Sequence, residues 1–348
     1  MATKRHHYVP RMLLHRFSAN PTADNPPLWC LEKGSGRPRG TSVNNEAVVG
    51  HYYRLENEEA NPALVEDALS VIEGRAKEII DALVAGKNLS SDQRFLMALF
   101  IHLQYMRTPR GRHWMTHLQE MGVRIAAMQR LADAEEVKKY FAEKGEQRTD
   151  EEIERWRHEV LEKIESGSPR ITPTHDGEVA GIFRQADSLS RLIALKMSWA
   201  ALCAPSGEQY ILSDHPVHIV DLEAPPGEEV GYLSSATVEL TFPIDPALCL
   251  LLRPGPPGWS KFNVEPEDVR DINLRTYASA QWVIWGPNQQ VVQEVRSQAK
   301  HNSKRLAQVG VRSPSVVISN RIEGESQPFG LTKHSPQGSP HRGRRVRK

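Results

Sequence analysis

EQYILSDHPVHIVDL, residues 208–222, is where this chain turns from helical to extended grammar. Ile211 and Leu212 run into Ser213, Asp214, His215 and Pro216, and then Val217, Ile219 and Val220 resume. β-Branched residues favour a pleated, half-buried backbone, and a proline denies a helix both its donor and its geometry. The stretch reads as two short strands joined at a polar turn. Downstream, SATVELTFPI (235–244) and ALCLLLRP (247–254) continue the extended pattern between Pro/Gly turns. VEPEDVRDINLRTYASA (264–280) reads as a helix, AQWVIWG (280–286) as a strand and QQVVQEVRSQAKHNSKRLA (289–307) as a last helix.

Upstream, apolar residues recur at helical spacing. Asn61 and Pro62 offer an N-cap and a first-turn proline, and Leu64, Ala68, Val71, Ile72, Ile79, Ile80 and Leu83 follow until Gly86. SSDQRFLMALFIHLQYM (90–106) starts with Ser91 as N-cap and Arg94 where a capping box places Glu, so its cap is partial. It is apolar nearly all round from Phe95 to Tyr105, which predicts a buried helix that Pro109 ends or kinks. Residues 112–166 continue as helix, with acids and bases three and four apart from Glu135 to Glu165, the pattern of a solvated face. After a loop at 166–174, EVAGIFRQADSLSRLIALKMSWAAL (178–202) reads as a third strongly periodic helix. Near the amino terminus, LWCLEK (28–33) and TSVNNEAVV (41–49) flank a Gly-rich turn as a hairpin, which HYYRL (51–55) extends.

The fold class is therefore α+β: a mostly helical middle packed against a small mixed sheet built from the N-terminal hairpin and the C-terminal β-rich part. Residues 1–332 form one domain, with a helical section at about 60–203 and a β-rich section at about 208–310. The tail from Lys333 to Lys348 carries six Lys or Arg and no acid, which sets the rest of the chain at −5 against a total of +1. Its Ser, Pro, Gly and Arg content predicts disorder and an electrostatic hold on phosphates. Three scattered cysteines suit reduced packing thiols in a cytoplasmic protein. The basic start lacks an apolar run after it, and the longest apolar stretch, ALCLLL, is too short for a membrane span.

Three polar constellations carry candidate chemistry. His6 and His7, anchored by YVPRMLLHRF, suit acid–base work, phosphate binding or metal ligation; in an extended segment they point to opposite sides. QYMRTPRGRH (104–113) presents Gln104, Arg107, Arg110 and Arg112 from a rigid helix, and guanidinium groups suit bidentate capture of phosphate. Arg107 also has Glu73 as an internal ion-pair partner. In SDHPV, Asp214 suits orienting a histidine, holding a divalent cation or activating water, and it equally suits capping a turn. Arg112 to His117 spells R-x4-H, a pattern expected about once by chance in a chain of this size and composition. GSGRPRG is not a dinucleotide fingerprint, and no P-loop, HExxH or G-x-S-x-G is present.

HHYVPRMLLHRF, VIEGRA, LQYMRTPRGR, SDHPV and FPIDPALCLLL with DINLRTYASAQWVI occur in this order over about residues 4–286. In that order the chain resembles a bacterial family called domain of unknown function 4238. Met12 and Leu13 stand where that family often has aromatics, and His215 fills its variable turn position. The resemblance implies that His6, His7, Tyr8, Pro10, Glu73, Gln104, Arg107, Ser213, Asp214, Pro216 and Asn273 share one constellation. It implies no activity.

Imidazoles, two carboxylates, an amide and an arginine, without a Ser or Cys nucleophile motif, suit chemistry at phosphate better than acyl transfer. The expectation is a nuclease-like hydrolase or transferase acting on nucleic acid or nucleotide. His6, His7, Glu73 and Asp214 are its catalytic candidates. Tyr8, Gln104, Arg107, Arg110, Ser213, His215 and Asn273 are its substrate-binding candidates, and a divalent cation is its candidate cofactor. Nucleic acid would be held by Arg107, Arg110, Arg112 and the basic tail. The competing expectation is a non-catalytic binding or regulatory module whose polar cluster is structural.

Overall fold

The computed structural model describes residues 5–57, 61, 63–167, 174–221, 233 and 235–301. The chain opens with a short strand β1 (Arg5–His7) and helix α1 (Arg11–Arg16). The expected hairpin follows as β2 (Pro27–Glu32) and β3 (Arg39–Ser42), then β4 (Val48–Gly50). HYYRL does not extend it: residues 51–53 are a turn, and β4 pairs with β1 instead, placing His6 opposite Val49. This two-stranded ribbon is what gives the histidine doublet a fixed backbone.

The helical middle comprises α2 (Leu64–Val84), α3 (Ser91–Met106), α4 (Pro109–Ala132), α5 (Ala134–Glu143), α6 (Asp150–Glu165), α7 (His175–Phe183) and α8 (Ala186–Lys196). Around the start of α2, the side chain of Asn61 accepts from the Ala63 N–H, and the helix begins at Leu64. The cap of α3 sits one residue earlier than the sequence suggests: Ser90 and Gln93 form a complete capping box. Pro109 ends α3 and begins α4, with the Thr108 hydroxyl accepting from Gly111 N–H. Residues 168–173 of the expected loop lie outside the described residues, as do residues 302–348 with the basic tail.

The predicted single helix at 178–202 is corrected. Gln185 adopts φ +61° between α7 and α8, and MSWAALC becomes the strand β5 (Met197–Cys203). A short apolar run buried on both faces has no period that separates strand from buried helix. Every residue of β5 before Cys203 is buried. The C-terminal part then supplies β6 (Leu212–Ser213), β7 (His218–Asp221), β8 (Val238–Asp245), β9 (Leu248–Pro254), β10 (Trp259–Asn263), α9 (Pro266–Ser279), β11 (Val283–Gly286) and α10 (Gln289–His301). Strand β10 gave no clear sequence signal, being half polar and lying against β5 in parallel.

The α+β class holds, and the β structure divides into more than the one small sheet expected. Five strands order as β10-β5-β9-β8-β7, mixed because β10 alone is parallel to its neighbour. Four order as β3-β2-β11-β6, all antiparallel, and join the N-terminal hairpin to the C-terminal region as anticipated. Phe100 of α3 packs on Phe242 of β8 with ring centroids 6.1 Å apart, while α9 contacts β6 and β7. Leu13, Leu14 and Phe17 of the opening segment are buried in the same core cluster as Ile80, Ile101, Trp199 and Leu252. Among the described residues no helix is long and apolar enough to cross a membrane.

Candidate functional site

The opening histidines are neither loose nor equivalent. His6 is 3% exposed and stacks on Tyr53 at 5.5 Å. Its Nδ1 accepts the Tyr53 backbone N–H at 2.9 Å, which puts the ring proton on Nε2, and Nε2 faces Glu66 Oε2 at 3.3 Å. His7 points the other way, as alternation along a strand requires. A backbone contact to Val43 engages one side of its ring, while its buried Nε2 has no hydrogen-bond partner. Burial, ahead of all other causes, lowers the His7 pKa to about 4, and Arg11, Arg5 and Arg107 add to the shift, so the imidazole is neutral near pH 7.

Between this ribbon and α2 lies an open cleft of about 500 Å³. Arg5, His6, His7 and Arg11 line one side, and Glu66, Asp67, Ser70 and Glu73 line the other, with Tyr53 also lining it. Glu66, Ser70 and Glu73 fall at i, i+4 and i+7, which is one face of a helix. Neither Arg5 nor Arg11 was singled out from sequence, nor were Glu66, Asp67 and Ser70. The cation cluster around His6 and His7 was visible in KRHHYVPR; the acidic face of α2 required knowing that it packs here.

Arg107 does meet the amino terminus, through main chain rather than imidazole. Its Nε donates to Tyr8 O at 2.9 Å, Nη2 to His7 O at 3.0 Å and Nη1 to Glu73 Oε1 at 2.7 Å. Gln104 Nε2 adds a bond to Tyr8 O at 3.2 Å. With 2% exposure and all three nitrogens engaged, Arg107 clamps the N-terminal segment onto α3 and is not presented for phosphate capture. Arg112 is likewise engaged, by Tyr52 O at 3.2 Å and Glu178 Oε2 at 2.8 Å. Arg110 is exposed and donates to Ser279 O at 2.7 Å.

Asp214 is a turn anchor. Its carboxylate accepts from Gln281 N–H at 2.8 Å, Trp282 N–H at 2.6 Å and Val283 N–H at 3.3 Å, tying the SDHPV turn to the start of β11. Burial raises its pKa, and those three bonds act against the rise. Tyr8 lies close enough for Asp214 to push its phenol further up, after burial as the larger cause. Ser213 Oγ donates to His215 O at 2.9 Å, and His215 Nδ1 shares a 2.7 Å bond with Thr108 Oγ1. Burial lowers the His215 pKa to about 3. Asn273 bridges Gln209 O at 2.8 Å and Ile211 N–H at 3.0 Å.

The sequence constellation therefore separates into an open cleft holding His6, His7 and Glu73, and a buried lattice holding Gln104, Arg107, Ser213, Asp214, His215 and Asn273, with Tyr8 at its junction with the ribbon. Among the described residues no three His, Cys, Asp or Glu side chains are grouped to hold a metal ion. Asp214, the candidate cation ligand, has its oxygens occupied by backbone amides.

Fold and site together define an α+β protein with an imidazole-bearing, charge-divided cleft at its amino-terminal ribbon. The chain belongs to the family described as protein of unknown function (DUF4238), whose match covers residues 5–292. No curated protein and no solved structure matches it.

Proposed function

We propose that the cleft between the N-terminal ribbon and α2 performs hydrolysis or transfer at a phosphate of nucleic acid or nucleotide. The observation that carries this reading is the neutral, buried and unpartnered Nε2 of His7 in a cleft that also holds two arginines. A neutral imidazole beside guanidinium groups is a proton acceptor next to anion binders. In this reading Arg5 and Arg11 hold the phosphate, a role the sequence assigned to Arg107. His7 takes the proton from the attacking water or hydroxyl as its oxygen bonds to phosphorus. His6 keeps its single ring proton, set against Glu66, and orders that side of the cleft, while the leaving oxygen takes its proton from solvent in the open cleft as the old P–O bond breaks. The basic tail adds a nonspecific hold on polynucleotide.

The purified full chain is incubated with labelled RNA, DNA and nucleotides, with Mg²⁺, with Mn²⁺ and with EDTA. Turnover that disappears in His7→Ala and Arg11→Ala with the thermal melt retained supports the reading. Absence of turnover on every substrate class overturns it.

The non-catalytic alternative draws on a different observation: Asp214 and Asn273 spend their polar atoms on main chain, and Arg107 divides its three nitrogens between two main-chain carbonyls and Glu73. It expects no turnover, together with nucleic-acid binding that is lost when residues 333–348 are removed.

A further inference from the structure

A second polar cluster lies between α9 and the five-stranded sheet. Its centre is Arg275, which is 0% exposed. Nη1 of Arg275 is held by Glu239 Oε2 at 3.0 Å as an ion pair, while Nε and Nη2 lack a hydrogen-bond partner. Glu239 divides its charge, because its Oε1 is also 2.7 Å from Arg253 Nη2. Two residues along β8, on the same face of the strand, Thr241 Oγ1 is buried without a partner. Directly across from Thr241, in register, His218 has a buried Nδ1 without a partner.

Four polar atoms on three buried side chains, Arg275 Nε and Nη2, Thr241 Oγ1 and His218 Nδ1, thus lack hydrogen bonds in one place. Leaving buried donors unmet is costly, and buried guanidinium groups are found paired or ligated. The available groups are two kinds of donor that suit one acceptor, a guanidinium fork and a hydroxyl, with an imidazole that supplies a third. Such a set matches the tetrahedral oxygens of a small oxyanion. Arg110 connects the cluster to the surface: it is exposed, bonds the carbonyl at the end of α9 and acts electrostatically on both His215 and His218. Asp271, also on α9, adds a carboxylate to the field of Arg275. That limits the occupant to a small anion rather than a polyanionic chain.

We propose that Arg275, Thr241 and His218 form an internal binding site for one inorganic oxyanion of the phosphate class. The site is independent of the cleft, sharing no residue with it. Glu239 and Arg253 position the Arg275 guanidinium, and the anion completes the hydrogen bonding of the sheet-to-α9 interface.

The test uses the full chain and inorganic phosphate. Purified protein is denatured and assayed for released phosphate, and protein dialysed free of phosphate is titrated calorimetrically. Expected are either near one phosphate released per chain or saturable one-site binding that raises the melting temperature. Thr241→Val is near-isosteric and keeps the strand, so it reports the site without dismantling the core; it and His218→Gln should each weaken binding at least tenfold. Arg5→Ala with Arg11→Ala should leave this binding unchanged. Neither released nor added phosphate bound by the wild type overturns the site. So does binding insensitive to Thr241→Val and His218→Gln, or abolished by the Arg5 and Arg11 substitutions, which would assign it to the cleft.

Discussion

Nη2 of Arg107 donates to the backbone carbonyl of His7 at 3.0 Å, so a guanidinium at the end of the buried helix fixes the very peptide that carries a cleft imidazole. The same guanidinium reaches Tyr8 O and Glu73. The two sides of the cleft are therefore held together by one side chain that does not line it.

Arg107→Ala leaves the Glu73 carboxylate without its partner and reduces Tyr8 O to the Gln104 bond at 3.2 Å and His7 O to the Tyr53 hydroxyl at 3.4 Å. Breaking a buried charged network by removing one partner costs about 3–5 kcal/mol. Urea denaturation should show a loss in this range, and Arg107→Lys should recover only part of it, since an ammonium cannot make the forked contact.

Gly111 sits in the first turn of α4, where an added Cβ would stand 2.1 Å from Tyr105 O. Gly111→Ala forces α3 and α4 apart at the Pro109 corner. Overpacking of this kind costs about 1–3 kcal/mol, and calorimetry should show a lower melting temperature than for Gly122→Ala, which meets open space on the same helix.

Acid should destabilise the fold through its buried histidines. Burial lowers His7 and His102 to about 4 and His215 to about 3. Their folded pKa values lie below the unfolded value of 6.5, so the unfolded chain binds more protons between about 6.5 and these values. Stability is full above pH 6.5 and falls as pH drops through that window, by up to about 1.4 kcal/mol per pH unit for each histidine. Denaturation midpoints between pH 7 and pH 4.5 should fall steadily, and His102→Gln should flatten the slope by about one proton.

If His7 is the base of a phosphate reaction, its depressed pKa sets the acid limb of the rate profile. The neutral form persists down to about 4, so turnover should hold at pH 5.5 and decline only near pH 4. A limb centred at 6.5 would remove His7 from that role. Arg11→Ala should raise KM with a smaller change in kcat.

Much of this architecture was written in local pattern. The hairpin from Pro27 to Ser42, the corner at Pro109 and the strands around SDHPV follow from turn residues and β-branching that act over a few positions. MSWAALC misled because its signal is uniform: an interior strand between β9 and β10, buried along both faces up to Cys203, it lacks the alternation that marks a half-exposed strand. In the site, His6 and His7 stood out by chemistry, yet the carboxylates facing them come from α2, some sixty residues on, and nothing local ties Glu66 to His6. Arg107 and Asp214 were noticed as reactive groups; that their polar atoms answer main-chain amides and carbonyls depends on contacts spanning 99 and 68 positions.

Strand β11 lies between β2 and β6, its Trp285 opposite Cys30 on one edge and Leu212 on the other. During synthesis the amino-terminal hairpin must therefore wait for more than two hundred residues before its open edge is covered. At about 5–20 residues per second that interval lasts on the order of tens of seconds. A ribosome stalled before codon 283 would hold a nascent chain whose Leu28–Leu31 edge is bare, the state in which a chaperone is most needed.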